Sequence, residues 1–87
     1  MNKTEPYLKI MQEFASENNL TLKQNKETQY LMLKDNIVLA EANFYNSLFS
    51  FEIIGKEMLI GFYREYYAEQ LKKYLLENKG ELLWMSY

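Results

Sequence analysis

The side chains that could do chemistry in this chain are carboxylates, hydroxyls and phenols, because histidine and cysteine are both absent. That absence removes the commonest general base, the commonest metal ligand and the thiolate nucleophile. A zinc site, which draws on imidazole and thiolate, is disfavoured for the same reason. Four serines and three threonines could attack only with a base beside them, and no histidine exists to supply one. The three glycines stand alone at positions 55, 61 and 80, so a glycine-rich phosphate loop cannot form. Paired carboxylates can act as acid and base on a sugar. Glu41 and Glu52 are the pair that the strand register brings together, but nothing around them suggests a sugar cleft. The expectation is a protein that is not an enzyme, with no cofactor and no metal.

Side chains suited to binding are more plentiful. Eight tyrosines in 87 residues is a high count. A tyrosine buries a ring and keeps a polar tip, which suits interfaces, although strands use it freely too. Tyr30, Tyr45 and Tyr63 could also stack on bases, but stacking platforms sit in basic grooves. Here the net charge is −2, the lysines are scattered and Arg64 is the single arginine. A phosphate-tracking surface concentrates Lys and Arg, so nucleic acid is a disfavoured partner.

The elements that must position these groups follow from pattern. A chain of 87 residues makes one domain, 1–87, with a net stability of about 5 kcal/mol by the usual per-residue scale. A first helix is expected from Thr4 as N-cap, with Glu5 and Pro6 in its first turn and Asn18-Asn19 as its stop. Tyr7, Leu8, Met11, Phe14 and Ala15 make its apolar stripe. Residues 20–23 read as a short extended piece or a linker. Four strands follow at roughly 28–34, 37–45, 48–54 and 57–62, joined by two-residue turns at Asp35-Asn36, Asn46-Ser47 and Gly55-Lys56. A second helix is expected from 63 or 64 to 78, with Tyr67, Leu71, Tyr74 and Leu75 as its stripe and Gly80 as its terminator. The apolar tail 81–87 reads as an extra C-terminal edge strand. The fold class is therefore α+β: a two-layer sandwich in the order α-β-β-β-β-α, with a four-stranded antiparallel meander under an N-terminal and a C-terminal helix.

Counting outward from the three turns assigns each strand residue to a face. Leu31, Leu33, Val38, Ala40, Ala42, Phe44, Phe49, Phe51, Ile53, Met58, Ile60 and Phe62 share the face toward the helices. The opposite face then carries Met32, Ile37, Leu39 and Ile54 at one edge and Tyr45, Leu48 and Tyr63 at the other end. Tyr30 stands near a central acidic strip, in which Glu41 lies directly opposite Glu52. A wet sheet face is normally polar, and like charges across a strand pair destabilise it. This face breaks both rules, which points to contact with a partner. The predicted partner-binding residues are Tyr30, Met32, Leu39, Glu41, Tyr45, Glu52 and Ile54.

The lysine-rich, arginine-poor, asparagine-rich composition resembles that of a low-GC bacterium or its phages and plasmids. Small, acidic, non-catalytic α+β proteins of this length are similar in kind to mobile-element inhibitors and toxin-immunity proteins, a likeness of class that no motif carries. The expected function is a non-catalytic protein-binding module, an inhibitor of a host defence system or a toxin-immunity protein, whose partner has a basic surface. The alternatives are a homodimeric regulatory or scaffold protein and, third, a single-stranded nucleic-acid binder. The N-terminal residues lack an apolar signal region, no segment reaches membrane-spanning length, and no cysteine is available for disulfides. These features lead to an expectation of a cytoplasmic protein without a membrane association.

Overall fold

The structure, a computed structural model, describes residues 4–46, 48–56, 58–62 and 65–84. The chain runs α1 (Glu5–Glu17), β1 (Thr21–Lys26), β2 (Gln29–Lys34), β3 (Ile37–Phe44), β4 (Leu48–Ile53), β5 (Met58–Phe62), α2 (Glu65–Glu77) and α3 (Lys79–Trp84). The strands form one antiparallel sheet in the order β1-β2-β3-β4-β5. The helices cover one face, and a single core cluster draws on all three of them and on the sheet. The α+β class with an antiparallel meander flanked by helices is as expected.

α1 begins and ends where its sequence directs. The Thr4 carbonyl accepts the Leu8 N–H at 3.0 Å, and Tyr7, Met11, Phe14 and Ala15 are buried. At the other end Asn19 adopts a left-handed φ of 57°, and the Leu20 N–H reaches back to the Ala15 carbonyl at 2.8 Å. This is the Schellman pattern, and Leu20 supplies its usual apolar contact by being buried. Asn18 adds a side-chain bond from its amide to the Phe14 carbonyl at 2.8 Å. On α2, Leu71 and Leu75 are buried and Tyr74 is partly buried against the core, as the stripe requires. Ala68 joins them.

The aromatic layer is continuous between helices and sheet. The Tyr7 ring lies 4.6 Å from Phe49 and 6.1 Å from Phe44, and Tyr74 meets Phe51 edge-on at 6.0 Å. Phe44, Phe49 and Phe51 on the sheet thus pack against Tyr7 and Tyr74 on the helices.

Four features differ from the sequence reading. First, the extra edge strand comes from Thr21–Lys26, which pairs with β2, while Lys79–Trp84 is helical with Gly80 inside the helix. The remaining tail residues, 85–87, lie outside the described residues. Asn78 closes α2 through its side-chain amide and N–H, both bonded to the Tyr74 carbonyl, and α3 then folds Leu82 into the core.

Second, β2 and β3 are not in simple register. The turn is as expected, with Asp35 and Asn36 at φ 50° and 70° and Lys34 opposite Ile37. Leu33 then pairs with Val38, but Met32 pairs with Ala40, leaving Leu39 as a bulge residue. The extra residue reverses the parity of β2 relative to β3. Met32 therefore turns into the core at 1% exposure, Leu39 is buried beside it at 0%, and Leu31 moves to the other face opposite Glu41.

Third, the β4–β5 connection is one residue longer than expected. The Lys56 N–H donates to the Ile53 carbonyl at 2.8 Å, and Gly55 has a φ of 83°, the positive value that a type II turn needs at its third position. Ile54 is thereby part of the turn. The register slips by one, so Phe51 pairs with Leu59 and Ser50 with Ile60. Ile60, expected in the core, is 57% exposed.

Fourth, Leu33 and Val38, also expected on the helix side, pair on the same side of the sheet as Leu31. Ser47, Glu57, Tyr63 and Arg64, and the side chains of Met58, Phe62 and Tyr67, lie outside the described residues. The β3–β4 ladder is as expected throughout: Ala40 opposite Ile53, Glu41 opposite Glu52, Ala42 opposite Phe51, Asn43 opposite Ser50 and Phe44 opposite Phe49.

Candidate functional site: the open face of the sheet

The face turned away from the helices is built by three registers acting together. Reading across the strands, one row is Lys23, Leu31, Glu41 and Glu52. The next row is Gln29, Asn43, Ser50 and Ile60. At the β3–β4 turn, Tyr45 and Leu48 close the hairpin, and beyond the other end of the acidic row lie Leu33 and Val38. Tyr45, Leu48 and Ile60 form an exposed apolar corner, at 58%, 38% and 57% exposure. Leu31, Leu33 and Val38 are half-buried.

The acidic pair sits at the centre. The Tyr45 N–H donates to the Leu48 carbonyl at 2.7 Å, and the Ile54 N–H to the Leu39 carbonyl at 3.0 Å. Bonded pairs alternate along an antiparallel ladder, which makes Glu41–Glu52 a bonded pair with Cα atoms about 5.5 Å apart. Both side chains leave the same face and both residues are half-buried. Neither has an ion-pair partner among the described residues. Lys23, in the same row, stands two strands from Glu41, about 10 Å by strand spacing. Lys56 is engaged elsewhere, with Glu81 on α3.

Beside the carboxylates runs a row of amides. Asn25 donates its amide to Gln29 Oε1 at 2.7 Å, and Gln29 Nε2 donates to Asn43 Oδ1 at 3.1 Å. The row continues to Ser50, which is 3% exposed and whose Oγ has no hydrogen-bond partner among the described residues. A buried polar atom is nearly always bonded, so this one is unusual.

The predicted site residues thus divide. Glu41 and Glu52 come together as expected, and Tyr45 is exposed on the same face. Met32 and Leu39 are corrected to core residues, because the bulge turns them inward. Tyr30 is corrected as well: it pairs with Ala42, and its ring meets Phe44 edge-on at 5.9 Å within the helix-side layer. Ile54 is exposed, but it lies in the β4–β5 turn beside a cleft lined by Ile53, Gly55, Lys56, Glu81 and Trp84. Sequence reasoning missed Leu31 and Ile60 as face residues.

No group of three or more His, Cys, Asp or Glu residues that could hold a metal ion occurs among the described residues, and no helix there is long and apolar enough to cross a membrane. Compared with family models, curated proteins and solved structures, the chain matches none.

Proposed function

We propose that this protein is a non-catalytic binding module that docks a basic protein surface on the open face of its sheet. The observation that carries this reading is the Glu41–Glu52 pair. Two carboxylates face each other, half-buried and unpaired among the described residues, beside the exposed corner of Tyr45, Leu48 and Ile60. That arrangement costs the isolated fold something, up to about 1 kcal/mol for like charges across a strand pair. A partner that brings cations removes the cost, and the apolar corner supplies anchors around it. An inhibitory role, in which the module masks a basic surface of another cytoplasmic protein, suits a small domain with one adhesive face and neither histidine nor cysteine.

Self-association through this face is a weaker reading. A two-fold axis near the acidic pair would stack carboxylates on carboxylates.

The test pairs light scattering with affinity capture. The protein is expected to be monomeric across a concentration series. From bacterial lysate it should retain a protein that, once purified, rebinds the wild type. A Leu48→Lys/Ile60→Lys variant should lose that binding by about a hundredfold or more while keeping its helical circular-dichroism signal. A concentration-independent dimer that this variant dissolves would replace the reading with homodimerisation. Retention of the same purified partner by the variant would overturn it.

A further inference from the structure

We infer that the outer edge of β5 takes up an extended segment of the partner as a sixth strand, with an apolar residue of that segment beside Ile60. The inference rests on the module reading and names the segment by which the partner docks. The ladder decides which backbone groups are available for it. The Tyr45 N–H donates to the Leu48 carbonyl and the Ile54 N–H to the Leu39 carbonyl, so β4 turns the backbone groups of residues 48, 50 and 52 toward β3. Residues 49 and 51 then turn theirs toward β5, where they meet Gly61 and Leu59. The backbone groups of residues 58, 60 and 62 therefore point away from the sheet. Among the described residues no strand pairs with that side of β5. A row of outward N–H and C=O groups in extended conformation is a template for one kind of occupant, another extended chain.

The two edges of the sheet are built differently. β1 carries Lys23 and Lys26, and its register shifts between Gln24 and Lys26, all devices that discourage pairing at an edge. β5 has no charge and no proline in its five residues, and its register with β4 is unbroken. Ile60 ends the row that runs through Asn43 and Ser50, and it is 57% exposed. A residue paired with it on an added strand would share its face, which favours an apolar side chain there. A second copy of the chain fits the edge less well, because it would continue the sheet in its own plane. Edge-to-edge contact along five residues has a footprint on the order of 200 Å². A stable complex needs about 800 Å² per partner, and such a dimer leaves Tyr45 and Leu48 uncovered. A segment that belongs to a larger protein adds the contact of the body that carries it, laid over the open face.

The test is a nitrogen-15 NMR titration of the intact protein with the peptide acetyl-Lys-Val-Thr-Val-Thr-Val-Lys-amide. Its control is the same peptide methylated at its three central backbone nitrogens, which keeps the charge and blocks both edges. In the free protein the amides of residues 58, 60 and 62 are expected to exchange with solvent faster than those of 59 and 61. The peptide should shift and protect 58, 60 and 62 along saturable curves by about 5 mM, and the methylated control should bind at least about tenfold more weakly. Ile60→Pro should keep the helical circular-dichroism signal, since an outward-facing edge nitrogen gives up no ladder bond, and should abolish peptide binding. Ile60→Lys, which guards the edge without touching the backbone, should weaken the peptide about tenfold. Leu48→Lys, one strand in from the edge, should leave peptide binding unchanged. Equal binding of the two peptides, or no saturable shift at 58, 60 and 62, would overturn the inference. So would shifts of those amides with protein concentration alone, which would assign the edge to a second copy. Loss of a purified partner on Leu48→Lys/Ile60→Lys, with the peptide ignored, would sink the strand addition and leave the module reading intact. Peptide binding at the edge with no partner protein retained would do the reverse.

Discussion

Met32 and Glu41 show how far one residue's environment depends on its strand neighbour. Met32 would be an interface anchor if β2 and β3 ran in simple register. With Leu39 bulged out of the ladder it is a core residue at 1% exposure. A charge placed there has no partner to meet it, and burying one costs several kcal/mol. Met32→Lys is therefore expected to destabilise by about 4 kcal/mol or more, comparable to the whole stability of a domain this size. Urea unfolding followed by circular dichroism should show a midpoint near zero denaturant; a midpoint close to wild type would return Met32 to the surface. Glu41 is the opposite case. It keeps the position that the sequence implies, opposite Glu52, because no bulge interrupts the β3–β4 ladder. Its meaning as a binding group follows from that fixed geometry.

At the scale of elements, the connections decide which residues face where. Gly55 sits at φ 83° in the β4–β5 turn, and among the described residues no atom beyond its chain neighbours lies within 4 Å of where its Cβ would be. Gly55→Ala is thus opposed by backbone conformation alone, and a loss of about 1 kcal/mol is expected, read as a lower urea midpoint at unchanged slope. The three hairpin turns after β2 were legible in different degrees for physical reasons. Asp-Asn and Asn-Ser turns between alternating strands announce two-residue loops, and both flanking pairs formed as expected. Gly-Lys was ambiguous, because a glycine suits the third position of a longer turn equally well. The bulge left no mark: Ile37-Val38-Leu39-Ala40 is an unbroken apolar run, so a period of two cannot show where an extra residue enters. β1 was hard to see for the contrary reason. As an edge strand it is almost wholly exposed, and Leu22 is its single apolar residue. In the tail, Leu82-Leu83-Trp84 suits strand or helix alike, and burial of Leu82 goes with helix. The candidate site was partly legible as a result: its acidic centre, Tyr45 and Leu48 were, whereas Leu31 and Ile60 were not.

For the molecule as a whole, the strand order β1-β2-β3-β4-β5 is also the order along the chain. Distant segments meet mainly in the helix layer, where α1 packs on α2 and Tyr7 lies 4.6 Å from Phe49. Short loops close at little entropic cost and long ones at more, so this layout separates early events from late ones. The sheet can zip hairpin by hairpin, and the two ends of the chain dock once it exists. Stopped-flow measurements should register that sequence. Ile53→Val, within the central β3–β4 ladder, is expected to slow folding, whereas Leu75→Ala, on α2, should chiefly hasten unfolding. The reverse pattern would place the helix pair in the nucleus. A meander built this way also has a practical kinetic consequence. Until the helices dock, Phe49, Phe51 and Ile53 on the inner side lack their cover, so the open face and the future core are exposed together. During that interval the molecule has two adhesive surfaces instead of one. Its yield on refolding should fall as protein concentration rises, even though the docked helices cover the inner face in the finished fold.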